Sequence, residues 1–224
     1  MRYCLDHDET NCFEKNGFVL LKELFSSDKV QKVLASYQSF FREHKDVLEY
    51  QKREARGGMI PSFYARDSAL HSQELRRLLF SKAIGHIAGH LSMKKKLRYG
   101  GDWLWQGNKM PWSASEEPFS LESCFCVKPI AIACLIALTD GSPQEKPFLP
   151  EKAGDALFFS SHLVYPWNDL KENGAGQKFL LMVYAEEDAA YMPNPLDPHT
   201  HDLKRVGYVF HDRLKETTHP HIIR

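Results

Sequence analysis

The sequence predicts an α+β fold, with helices packed on one face of an antiparallel β core. Two observations carry this. Up to Leu91 the apolar residues recur at helical spacing, and after Lys96 they gather in short β-branched or aromatic runs bounded by turn residues. Helices first and strands afterwards is the order of an α+β fold, not of alternating βα units. The 224 residues suit one such unit, and no internal repeat, low-complexity tract or Pro/Gly-rich linker divides them. Residues 1–224 are therefore read as one domain.

The elements follow in order. A short polar helix precedes Gly17, which opens a compact strand, Phe18-Val19-Leu20-Leu21. Ser26 and Ser27 offer N-caps to a helix over about 27–44, whose stripe is Val30, Val33, Leu34, Tyr37, Phe40 and Phe41. Residues 45–66 are polar and contain Gly57-Gly58, which reads as a loop in part. Helical spacing returns in Leu75, Leu78 and Leu79, then in Ile84, Ile87, Ala88 and Leu91. Strand character marks residues 97–105, 124–127, 130–138, 156–159 and 179–184. In the tail, Val206, Phe210 and Leu214 stand at helical spacing and predict a final helix packed onto the body.

Composition excludes several classes of function. Lys+Arg and Asp+Glu are both 29, so a phosphate-neutralising surface is not expected, and Lys94-Lys95-Lys96 reads as a solvated helix end. The longest apolar run, 130–138, falls far short of the ~20 residues of a membrane helix. The five cysteines, Cys4, Cys12, Cys124, Cys126 and Cys134, form no CxxC pair, and Cys124 and Cys126 read as neighbours on one strand face. With no apolar signal core at the N-terminus, a reducing cytoplasmic setting is expected.

Three segments carry a family likeness. The first is Phe13-Glu14-Lys15-Asn16-Gly17-Phe18-Val19-Leu20-Leu21-Lys22, followed by Leu24-Phe25 and the helix at Ser27. The second is Cys134-Leu135-Ile136-Ala137-Leu138-Thr139-Asp140, and the third is Lys152-Ala153-Gly154-Asp155-Ala156-Leu157-Phe158-Phe159. Together they resemble the phytanoyl-CoA dioxygenase-like branch of the Fe(II)/2-oxoglutarate oxygenases. The resemblance implies a double-stranded β-helix (a jelly-roll, cupin-like core) with N-terminal helices and a C-terminal helix.

It also implies a His-x-Asp element and a distant histidine on Fe(II), with positions left open for 2-oxoglutarate and oxygen. This chain departs from that pattern. No histidine lies between Leu91 and Ser161, and Ser113-Ala114-Ser115 stands in register after Pro111-Trp112. Counted from Gly154, Tyr165 takes the place of the distant histidine, and His162 comes earlier. His162 reads either as a displaced ligand or as an ordinary strand-end histidine. Gln177-Lys178-Phe179 falls where the family has an arginine on the 2-oxoglutarate carboxylate, so Lys178 is the candidate anchor for a small-molecule anion.

Other residues complete the candidate list. Trp103, Trp105, Trp112, Tyr165 and Trp167 are expected to border the barrel mouth as a ligand pocket, or to fill it as core. His86 and His90 stand four apart on a helix without the glutamate of a zinc protease, which favours a structural role. His199-Thr200-His201-Asp202 has the density of a metal site, or reads as a solvated loop and helix start. Three readings of function remain open. They are a non-catalytic or repurposed small-molecule binder, an active Fe(II)/2-oxoglutarate oxygenase with displaced ligands, and an interaction scaffold.

Overall fold

The computed structural model describes residues 4–54, 64–106, 118–141, 149–164, 176–197 and 199–224. The first half is α1 (His7–Asn16), β1 (Phe18–Leu21), α2 (Ser27–Glu43), α3 (Lys45–Glu54), β2 (Tyr64–Arg66), α4 (Ser68–His71), α5 (Gln73–Leu79) and α6 (Lys82–Leu91). The second half is β3 (Leu97–Gln106), α7 (Leu121–Cys124), β4 (Val127–Ala137), β5 (Ala156–Phe159), β6 (Lys178–Tyr191), α8 (His199–Arg205) and β7 (His221–Ile223). The strands form one sheet in the order β1-β5-β4-β6-β3-β2, with β7 also paired to β3. Every pairing is antiparallel. Among the described residues no helix is long and apolar enough to cross a membrane.

Local chemistry explains the boundaries. Asp6 caps α1 in a reciprocal box: its side chain accepts from Glu9 N at 2.7 Å, and the Glu9 side chain accepts from Asp6 N at 2.9 Å. Ser26 caps α2, whose stripe of Val30, Val33, Tyr37 and Phe40 is buried against the sheet. The Gly154-Asp155 turn ties the β1–α2 connection to β5. Phe25 N donates to Gly154 O at 2.9 Å, and Asp155 Oδ1 accepts from Glu23 N at 2.8 Å. Gly154 has φ +100°, and a Cβ there would come within 2.2 Å of Phe25 O, so only glycine fits.

The sheet is buried on both faces, which is why its strands read as continuous apolar runs. One face packs under the helices through Ile132, Cys134, Ile136, Leu180, Met182 and Tyr184. The other face gathers Trp103, Trp105, Leu135, Phe159, Phe179 and Leu181.

Several sequence expectations are corrected. The polar stretch 45–54 is α3, an amphipathic helix that buries Leu48 and Gln51. Cys124 ends α7 and does not share a strand face with Cys126; the two are buried in different clusters. The final helix is α8, which begins and ends earlier than predicted. Gly207, with φ +85°, follows it, and Val206 and Phe210 are exposed. The chain closes instead as β7, which lies beside β3.

Candidate functional site: a buried polar cluster

Most of the buried polar groups among the described residues meet where the β2–α4 turn, β3 and the segment after β6 come together. On β3, Asp102 is fully buried and points to the helix layer. It accepts from Tyr37 Oη at 3.2 Å, Ser68 N at 3.1 Å, Ala69 N at 3.0 Å and Tyr99 Oη at 2.6 Å, and also from the Ser68 hydroxyl. Burial, reinforced by the Asp102 charge, pushes the Tyr37 and Tyr99 phenols well up, so both stay neutral donors.

Asp67 adjoins this network. The turn after β2 holds it in the left-handed region at φ 50°. Tyr99 Oη lies 3.2 Å from its Oδ1, and His199 Nε2 lies 3.4 Å from its Oδ2. Burial raises the Asp67 carboxyl to about 6, against the opposing pull of His199 and Arg66. Arg66 is fully buried and ion-paired with Asp202 of α8. Gln51 of α3 clamps its backbone at both ends, at 2.8 and 3.1 Å.

On the far side of His199, Asp197 draws two distant segments together. Its Oδ2 accepts from Cys126 N at 2.7 Å, and its Oδ1 accepts from His199 N at 2.9 Å. As a result one donor atom each of Cys126, Asp197 and His199 lies within 4.8 Å of the other two, and all three residues are buried. Among the described residues His199 Nδ1 has no hydrogen-bond partner. Burial, then the Asp197 charge, pushes the Cys126 thiol well up. His219 packs with its ring 5.7 Å from that of His199, and burial drives it well below the ordinary histidine range.

A cavity of about 550 Å³ opens onto this cluster between α3, the β2–α4 turn and α8. Asp67, His71, His199 and Asp202 reach its wall, with Asp46 and Arg205 also lining it. Of its three carboxylates Asp202 is already paired with Arg66, and Asp46 and Asp67 stand against one guanidinium, so the lining is weakly acidic.

The sequence candidates fall in separate places. Trp103 and Trp105 do come together on the face of β3 away from the helices, but both are fully buried packing residues. Lys178 pairs with Gln106, and strand alternation places it on the opposite face, with Leu180 and Met182. His162 is exposed in the turn after β5. Trp112, Ser113, Ser115, Tyr165 and Trp167 lie outside the described residues.

His199 is 3% exposed, so the solvated-loop reading fails for it, whereas His201 is half-buried. His86 and His90 are exposed on α6 and are not part of the core. Sequence reasoning missed Asp67, Asp102 and Arg66 as site residues, because none sits in a local motif. The density of His199-Thr200-His201-Asp202 in the tail was the one usable signal.

The face of the sheet away from the helices is where the resemblance leads one to look for Fe(II) and 2-oxoglutarate. Its successive positions on β4 are Ala133, Leu135 and Ala137; on β5 they are Leu157 and Phe159; on β6 they are Phe179, Leu181 and Val183. These described positions offer neither an imidazole nor a carboxylate, and Ser113, Ser115 and Tyr165, where the resemblance looks for the ligands, lie outside the described residues.

No protein-family model matches this sequence, and no curated protein matches it significantly. Solved structures do. The non-heme alpha ketoglutarate dependent carbocyclase SnoK from nogalamycin biosynthesis superposes with a TM-score of 0.67 at 16% identity, covering 97% of this chain and 96% of its own. The epimerase SnoN, in complex with Fe3+, alpha ketoglutarate and nogalamycin RO, gives 0.67 at 17% identity, covering 96% and 97%. EctD from S. alaskensis, in its apoform, gives 0.58 at 12% identity, covering 85% and 80%. With its antiparallel sheet and helix layer, the chain has the double-stranded β-helix fold of the Fe(II)/2-oxoglutarate-dependent oxygenases.

Proposed function

We propose that this chain is a repurposed, non-catalytic protein on the Fe(II)/2-oxoglutarate oxygenase fold, which binds a small polar molecule in the cavity beside Asp67 and His199. One observation carries the reading: on the sheet face away from the helices the described strand positions are filled with apolar side chains, while buried ionisable groups collect elsewhere, beside a cavity. Lys178 and Tyr191 mark the two ends of β6, 14 residues long and so roughly 40 Å at about 3.3 Å per residue. Tyr191 Oη donates to Thr200 O at 2.9 Å, which sets the Asp197–Thr200 segment beside the Tyr191 end, whereas Asp102 lies across from Met182, four residues from Lys178. Ser113, Ser115 and Tyr165 at the expected ligand positions agree with the loss of the triad. The weakly acidic lining favours a ligand with donors or positive charge over the anion assigned to Lys178.

The test has two arms. Protein purified anaerobically is titrated with Fe(II) and 2-oxoglutarate, and succinate formation is followed. The expected result is neither stoichiometric iron, nor 2-oxoglutarate binding, nor succinate. Iron-dependent binding of 2-oxoglutarate would restore the oxygenase reading. In the second arm, thermal-shift measurements compare putrescine and agmatine with succinate and 2-oxoglutarate. Stabilisation by the amines that disappears in Asp67→Asn supports the cavity; stabilisation by the dicarboxylates alone contradicts it.

A further inference from the structure

We infer that Cys126, Asp197 and His199 form a zinc-binding site distinct from the iron site expected of the fold. The inference stands whether or not the neighbouring cavity takes a small molecule. Four features of the cluster support it. The first is the donor set. A thiolate, an imidazole and a carboxylate suit Zn²⁺, and three protein ligands leave a fourth tetrahedral position for water or another ligand. The second is convergence: the three donor atoms lie within 4.8 Å of one another. The spacing holds because Asp197 accepts from the backbones of both Cys126 and His199, and each carboxylate oxygen keeps a lone pair free.

The third feature is an unmet need. His199 is 3% exposed, and its Nδ1 has no partner among the described residues. A buried imidazole nitrogen left unbonded is destabilising. A metal ion on Nδ1 removes that cost. The fourth feature is on the other side of the ring, where Asp67 Oδ2 lies 3.4 Å from Nε2. A carboxylate on the second nitrogen is the usual partner of a zinc-bound histidine, and it orients the ring.

The charges also close. On binding, the Cys126 S–H bond breaks, its proton leaves to solvent, and the sulfur lone pair goes to the metal. The two positive charges of Zn²⁺ are then matched by the thiolate and the Asp197 carboxylate. The unbound cluster buries the Asp197 charge with a neutral thiol; the loaded one carries no net charge.

One rival lies elsewhere on the surface. Cys4 is exposed beside His86 and His90 of α6, and a metal added in solution has access to that trio. The experiment is designed to separate the two. Zinc per chain is measured by mass spectrometry on reduced, full-length protein, and the zinc is replaced with Co(II). The expected result is one metal per chain, with a thiolate-to-cobalt charge-transfer band and the strong visible bands of four-coordinate Co(II). The band disappears in Cys126→Ala and persists in Cys4→Ala. X-ray absorption on the zinc-loaded wild type needs no variant, and should show one sulfur among nitrogen and oxygen neighbours. Absence of metal from the folded, reduced protein, a shell without sulfur, or a band that follows Cys4 would each overturn the inference.

Discussion

Asp102 gathers five donors around one buried carboxylate, from α2, the β2–α4 turn and its own strand. Removing the acceptor leaves the Ser68 and Ala69 amides and the Tyr37 hydroxyl without it, while Ser68 Oγ keeps Tyr37 Oη at 2.9 Å and Tyr99 Oη keeps Asp67 Oδ1 at 3.2 Å; removing one donor strands none. Asp102→Ala should therefore cost several times a single lost hydrogen bond, at about 1–3 kcal/mol for each buried donor left unbonded. Tyr37→Phe should cost only about 1 kcal/mol, because Asp102 keeps its other donors. Urea denaturation of the two variants measures the gap, and equal losses would show that Asp102 is not the hub. Little of this was legible in the sequence. Asp102 lies between Gly101 and Trp103 in a strand-like run, and nothing local marks it as fully buried. His199 was legible within the dense run His199-Thr200-His201-Asp202, because ligand-type residues close in sequence are visible without knowing the fold, whereas Asp197, two positions before it, was not singled out. Their third member, Cys126, lies 71 residues away from Asp197 and could only be brought to them by the folded chain.

At the scale of elements, α6 and β7 fit through two small residues. Gly85 and Gly89, one turn apart, make room for Ile222 and Ile223. A Cβ on Gly89 would come within 2.7 Å of both Ile223 Cδ1 and the Lys94 carbonyl. Alanine is the better helix former by about 1 kcal/mol, so propensity alone predicts that Gly89→Ala stabilises. Overpacking against a backbone carbonyl costs about 1–3 kcal/mol and opposes that gain. The expected outcome is a net loss of stability, with faster hydrogen exchange at Ile222 and Ile223; a raised denaturation midpoint would show that β7 moves aside freely. Elements buried on both faces were the most legible, since β4 and β5 appear as plain apolar runs. The α3 helix was not picked out of the polar stretch 45–66, read as a loop in part, because most of its residues are polar, and only the buried Leu48 and Gln51 reveal its inner side. The tail misled for the opposite reason. Val206, Phe210 and Leu214 have helical spacing, but Gly207 breaks the helix and Tyr208 and Leu214 anchor the segment instead.

For the whole molecule, the question is how the last residues are held to a sheet whose edges lie far apart in sequence. Glu216 is the principal tie. It accepts from His221 Nδ1 at 2.8 Å and Arg224 Nη2 at 3.0 Å, and Arg98 of β3 approaches to 3.3 Å. Desolvation works against its charge, but the side-chain and backbone hydrogen bonds from His221, together with Arg224, outweigh it and lower the carboxyl from 4.5 to about 2. A carboxyl held lower in the folded state binds its proton more readily when unfolded. Its stabilising contribution is therefore complete above 4.5, and is lost as pH falls toward about 2. Wild type should be more stable than Glu216→Gln at neutral pH, and the two should converge as the pH drops through that window. The side chain is 48% exposed, so the difference should be small and should shrink further in high salt. Denaturation midpoints for both proteins, taken from neutral pH down to pH 2 at low and high ionic strength, make the comparison. A gap that stays constant with pH would mean that Glu216 contributes by packing and not by charge, leaving β7 to be held by Ile222, Ile223 and the strand pairing alone.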